Sequence, residues 1–154
     1  MVRTERMISE RRHTAGDAAV EGLLAGVGGG IAMAAVLVAS GLLAGAEPAS
    51  TLARFDPSDA GAALPLTGGL IHLAVSAVYG LLFGVLYRLI GRGRLAGGAA
   101  GAVIGLVFGM LLWFVAQGLT AASAGAALRE IPTLHFAAAH LVYGAVVGWL
   151  VGRS

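Results

Sequence analysis

The sequence predicts an all-α integral membrane protein in which four transmembrane helices form a tandem repeat of two helical hairpins, with both termini cytoplasmic. Three observations predict it. Apolar residues make up 58% of the 154-residue chain and charged residues only 12%, a balance that a water-facing surface does not tolerate. The apolar residues gather into four runs, at about 18–45, 66–90, 95–118 and 131–151. Each is long enough to cross a hydrocarbon core of ~30 Å as a helix rising ~1.5 Å per residue. Small residues recur along the runs at four-residue spacing, and the second pair of runs echoes the first.

Residues 1–17 form a polar segment that holds Arg3, Arg6, Arg11 and Arg12, and residues 18–154 form a single membrane domain. The first run exceeds the ~7–15 apolar residues of a signal peptide, so Ala44-Gly45-Ala46 reads as the end of a span rather than a cleavage site. The connection at 46–65 carries Glu47, Pro48, Asp56, Pro57, Asp59 and Pro65. It reads as an external, turn-rich loop with room for one short surface helix. All four runs are read as helices because lipid offers an unpaired backbone group no partner. Arg88, Arg92 and Arg94 follow the second run and Arg153 closes the fourth, whereas the opposite loops hold only Arg54 and Arg129. This bias places both termini in the cytoplasm of a multi-pass protein of the bacterial inner membrane.

The repeat is clearest between the second and fourth runs, where Val78-Tyr79-Gly80, Gly84 and Leu86 parallel Val142-Tyr143-Gly144, Gly148 and Leu150. Ala25-Gly26, Gly30 and Ala34 match Ala96-Gly97, Gly101 and Gly105 more loosely. Duplicating a hairpin restores chain direction, so the halves are related by an axis along the membrane normal. Spacing of four puts Gly22, Gly26 and Gly30 on one helical face, as it does Ser76, Gly80 and Gly84, then Gly97, Gly101, Gly105 and Gly109, and finally Gly144, Gly148 and Gly152. Such stripes let backbones approach closely where no hydrophobic drive joins helices, and packing is their expected role.

Ionisable groups inside a membrane are uncommon and often functional. His72 shares the face of Ser76 and Gly80, and His140 that of Gly144, so both are expected between helices. His135 should face elsewhere near the surface. Tyr79 and Tyr143 hold the same repeat position and are expected to make equivalent interhelical contacts. Together His72, His140, Tyr79 and Tyr143 form a candidate cofactor site for haem or quinone, with bonding to a backbone carbonyl, Ser76 or a tyrosine as the plainer alternative. Trp113, Phe114, Tyr87 and Trp149 are expected to anchor span ends at the interface. Glu21 sits at the cytoplasmic edge of the first span, and no second intramembrane carboxylate accompanies it to form a proton relay.

No Ser-His-Asp set, carboxylate pair or zinc spacing is present, cysteine is absent, and Gly26-Val27-Gly28-Gly29-Gly30 follows no strand, so neither an enzyme nor a metal site is expected. A net charge of +2 gives no case for nucleic acid. With its Val-Tyr-Gly-x-x-x-Gly repeats and early histidines, the chain resembles uncharacterised small tetraspan membrane-protein families of bacteria and archaea. It is similar in style to accessory subunits of respiratory or photosynthetic membrane complexes. That resemblance implies a non-catalytic assembly subunit of a respiratory or photosynthetic electron-transfer complex, whose partners are the lipid bilayer and larger complex subunits. A haem- or quinone-binding module using His72 and His140 is the first alternative, and a small transporter or glycine-lined channel the second.

Overall fold

The computed structural model describes residues 14–58, 62–91, 97–121 and 126–154. The terminal Arg3, Arg6, Arg11 and Arg12, together with Asp59, Arg92, Arg94 and Leu95, lie outside the described residues. Four helices are long and apolar enough to cross a membrane: α1 (Ala15–Leu43), α3 (Pro65–Gly91), α4 (Gly98–Ala121) and α5 (Thr133–Arg153). A short helix, α2 (Pro48–Ala53), lies in the connection after α1, and a 3-10 turn (Ala126–Glu130) precedes α5.

Local chemistry sets the ends. Thr14 and Asp17 cap α1 reciprocally, Asp17 N–H donating to Thr14 Oγ1 at 3.2 Å and Thr14 N–H to Asp17 Oδ2 at 2.7 Å, so the helix begins before the apolar run does. Pro48 and Pro65 open α2 and α3, where a missing N–H costs nothing. Gly97 has φ +116°, which holds the start of α4 at Gly98 rather than at the expected 95. Arg129 caps the other end of α4, its Nε donating to Thr120 O at 2.7 Å and its Nη2 to Ala121 O at 3.3 Å.

The helices lie in the order α3, α1, α5, α4: α1 packs on α3, α5 on α4, and α1 against α5. The inner two are the more buried, at 39% and 44% of their spans against 28% and 22% for α3 and α4. Glycine builds both outer seams. A Cβ on Gly26 would strike the Ser76 carbonyl, and one on Gly80 or Gly84 would strike the α1 backbone. In the second seam, a Cβ on Gly105 would meet Gly144 O, and one on Gly148 would meet Gly101 O. Close backbone approach of this kind is how helices gain dispersion contact in lipid. Gly97 joins the second seam through its backbone, its N–H donating to Gly152 O at 3.2 Å, while its own Cβ position is open and its φ of +116° favours glycine.

On its other face α1 packs Ala25, Gly29 and Met33 toward α5; a Cβ on Gly29 would lie 2.6 Å from Val147 Cγ2. Tyr87 also departs from expectation. It is buried rather than interfacial, with its ring 5.8 Å from that of Phe83. Trp113 lies within α4 and packs against the core, while Phe114 and Trp149 are exposed and Arg153 stacks 4.2 Å over Trp149.

Candidate functional site

The four-helix order leaves α3 and α4 at opposite edges, with no glycine seam between them. Phe83 and Phe108 bridge them at 5.1 Å between ring centroids. Toward the α2 end the two helices frame a cleft of about 220 Å³ whose floor is made by α1 and α5. Val75 on one lip and Val115 and Leu119 on the other are about half exposed, so the mouth faces sideways, toward where lipid lies.

All four residues singled out in the sequence line this cleft: His72 and Tyr79 from α3, His140 and Tyr143 from α5. Their roles differ. The Nε2–H of His72 donates to Gly30 O on α1 at 3.0 Å, while Phe55, beyond α2, covers the ring at 4.5 Å. His140 turns back on its own helix, Nδ1–H donating to Phe136 O at 2.8 Å, and the Phe136 ring meets it edge-on at 4.5 Å. A carbonyl accepts only, so each ring nitrogen so bonded carries the proton. The other nitrogen, Nδ1 of His72 or Nε2 of His140, keeps a lone pair.

The tyrosines are not equivalent, contrary to expectation. Tyr143 is 2% exposed and donates its hydroxyl to Ser76 O at 2.7 Å, tying α5 to α3. Tyr79 is half-buried on the cleft wall, and among the described residues its hydroxyl makes no hydrogen bond. The one sealed, unpaired side-chain nitrogen or oxygen among the described residues is Trp113 Nε1, so the spare nitrogens of His72 and His140 are open to an adjoining cavity. His72 also borders a second, apolar cavity between α1, α2 and α3.

His135 is exposed and pairs with Ser40 Oγ on α1, away from the cleft. Glu21 accepts from Ser154 Oγ at 3.0 Å, which brings the start of α1 and the end of α5 together at the far end. Among the described residues no three His, Asp or Glu side chains gather into a metal site, and no carboxylate lines the cleft. Sequence reasoning missed Phe55, which lies in the polar connection where no periodicity marks it, and the apolar α4 wall at Leu112 and Ala116. It also missed Phe136, which backs His140.

No curated protein and no solved structure matches the chain. A family model matches residues 16–154, which takes in all four long apolar helices but for the first residue of α1, together with the cleft, and by that match the chain belongs to the DUF6789 family, a family of unknown function.

Proposed function

We propose that this protein is a non-catalytic membrane module that holds the ring head of a quinone-class molecule in the cleft between α3 and α4. One observation carries the reading: the intramembrane histidines and tyrosines, drawn from different helices, line one cavity that opens sideways between apolar lips. A cavity of about 220 Å³ falls below the ~300–1,000 Å³ of pockets that enclose drug-sized ligands. It suits a single ring whose tail leaves between Val75 and Val115, and it disfavours a porphyrin. In this reading the halves descend from a duplicated hairpin, and the meeting of Glu21 with Ser154 marks the cytoplasmic end of a bacterial inner-membrane protein.

An accessory subunit of a larger electron-transfer complex is the second reading. It is favoured by the outer helices, where Val103, Val107, Leu111 and Phe114 of α4 stand more than half exposed and offer a face to lipid or to partner helices. The deciding experiment is purification from native membranes in a gentle detergent, followed by organic extraction, mass spectrometry and a visible spectrum. Near-stoichiometric quinone is the expected result, reduced in a Tyr79→Phe/His140→Phe variant. A quinone content equal to that of the surrounding lipid would sink the proposal, and a Soret band would replace it with haem. Co-purifying larger subunits would establish the accessory role.

A further inference from the structure

We infer that the floor of the cleft is a binding site for a soft monovalent cation, Cu(I), held by the imidazoles of His72 and His140 and the thioether of Met33. The inference goes beyond the quinone-class reading and does not depend on it. All three side chains line the one cavity, and each residue is more than nine-tenths buried. Helix register brings them to one level. α1 runs antiparallel to both α3 and α5, so α3 and α5 run in the same direction. The bond from the Tyr143 hydroxyl to Ser76 O ties these two helices together, and His140 and His72 each stand about one turn before it, toward α2. On α1, Gly29 meets the Tyr143 ring. Met33 lies about one turn further along, which on an antiparallel helix leads to the level of the histidines.

Both histidines are already arranged as ligands. A metal-binding imidazole gives its other N–H to a carbonyl or carboxylate, which fixes the tautomer and the direction of the ring. His72 gives its Nε2–H to Gly30 O at 3.0 Å and His140 its Nδ1–H to Phe136 O at 2.8 Å. The lone pairs left over are on Nδ1 of the first and Nε2 of the second. Phe55 and Phe136 stand against the two rings, each at 4.5 Å, and hold them in place. The donors and the charge choose the metal. Thioether and imidazole together suit Cu(I). No Asp or Glu lines the cleft, so a divalent ion would bring a second uncompensated charge into an apolar wall. Met33 supplies the third donor from outside the His, Asp and Glu set, and a search for cysteine or zinc spacing passes over a thioether.

The test titrates the full chain in detergent, freed of metal and extracted of quinone, with Cu(I) under nitrogen against the chromogenic chelator bicinchoninate. Uptake of one Cu(I) per chain is the expected result, with X-ray absorption showing one sulfur and two nitrogen neighbours. His72→Phe and His140→Phe should each weaken binding about a hundredfold or more, because even an outer partner of a ligand is worth about ten- to a hundredfold. Met33→Leu, a swap of similar volume that the core tolerates, should weaken binding and remove the sulfur neighbour from the spectrum. It keeps the test decisive if a histidine variant does not fold. Uptake unchanged by Met33→Leu and His140→Phe overturns the site and moves the ion elsewhere on the chain. Zn(II) bound as tightly as Cu(I) overturns the choice of a soft monovalent cation. No uptake by the wild-type chain overturns the inference and leaves the quinone-class reading standing, since that reading is measured by extraction and not by metal.

Discussion

The α1–α3 pair and the α4–α5 pair use one packing device and put nearly the same polar residues to opposite uses. Both seams are glycine against backbone, the second being the closer. In the first pair the histidine does structural work, His72 reaching across to α1, while Tyr79 keeps its hydroxyl free. In the second the tyrosine is structural, Tyr143 reaching across to α3, while His140 bonds within its own helix. Matching sequence therefore does not mean matching role: each pair gives one side chain to hold the bundle and one to face the cleft. The connections at the cleft end differ too. Asp56 clasps the first by accepting from Ser58 and Leu64 N–H, each at 2.9 Å, and Arg129 ties the second to the end of α4.

The comparison breaks most readily at the seams. Gly105→Val should cost about 3 kcal/mol or more, because its Cβ lands on the Gly144 carbonyl and backbone cannot swing away. Gly26→Ala should cost somewhat less than Gly105→Ala, and Gly118→Ala, with open space at its Cβ position, should be close to neutral. Denaturant unfolding in mixed micelles would rank them, and equal costs for Gly26→Ala and Gly105→Ala would show the seams to be equally tight.

The crossed roles come next in size. Tyr143→Phe should lose about 1 kcal/mol and Tyr79→Phe almost nothing, reflecting one hydrogen bond made and one not. In the same way His72→Phe should destabilise more than His140→Phe. Equal losses in either pair of variants would restore the equivalence that the repeat suggests.

The smallest effect belongs to the loops. The Leu64 N–H, followed by Ser58, holds the Asp56 carboxyl below its ordinary value of 3.8. A lowered folded-state value means that this stabilisation is complete above the ordinary value and is lost as pH falls through the lowered one. Asp56→Asn should therefore reduce the unfolding midpoint at pH 7, and by progressively less as the pH is taken below 3.8. A loss of the same size at every pH would show that the carboxyl's charge is not what holds the loop.

Spans and stripes were legible because each follows from the residues of one helix: the apolar runs fix length and the spacing of four fixes a face. Partnership was not, since it depends on which faces meet. The run Gly26 to Gly30 shows why. Gly26 and Gly30 serve α3 while Gly29 serves α5, and a string read for one stripe conceals the second. The same limit hid the unequal tyrosines, because Tyr143 is consumed by a carbonyl on a helix 67 residues away in sequence. His72, His140, Tyr79 and Tyr143 could be named as polar groups on packing faces. That they share a cavity depends on α3 and α4 standing apart, and no local pattern encodes a gap. Gly97 shows one more limit, since a glycine that also serves a φ of +116° is identical in sequence to one that serves contact alone.

If the cleft holds a lipid-soluble molecule as proposed, its sideways mouth between α3 and α4 sets the scale on which occupancy is counted. A molecule arriving through it exchanges acyl-chain neighbours for Val75, Val115 and Leu119 and never crosses water, so its tail gains almost nothing from being bound. Selectivity then rests on the few hydrogen bonds at the head. Filling is governed by mole fraction in the bilayer rather than by molarity in the cell, so dilution with more lipid should empty the cleft where dilution with more buffer would not.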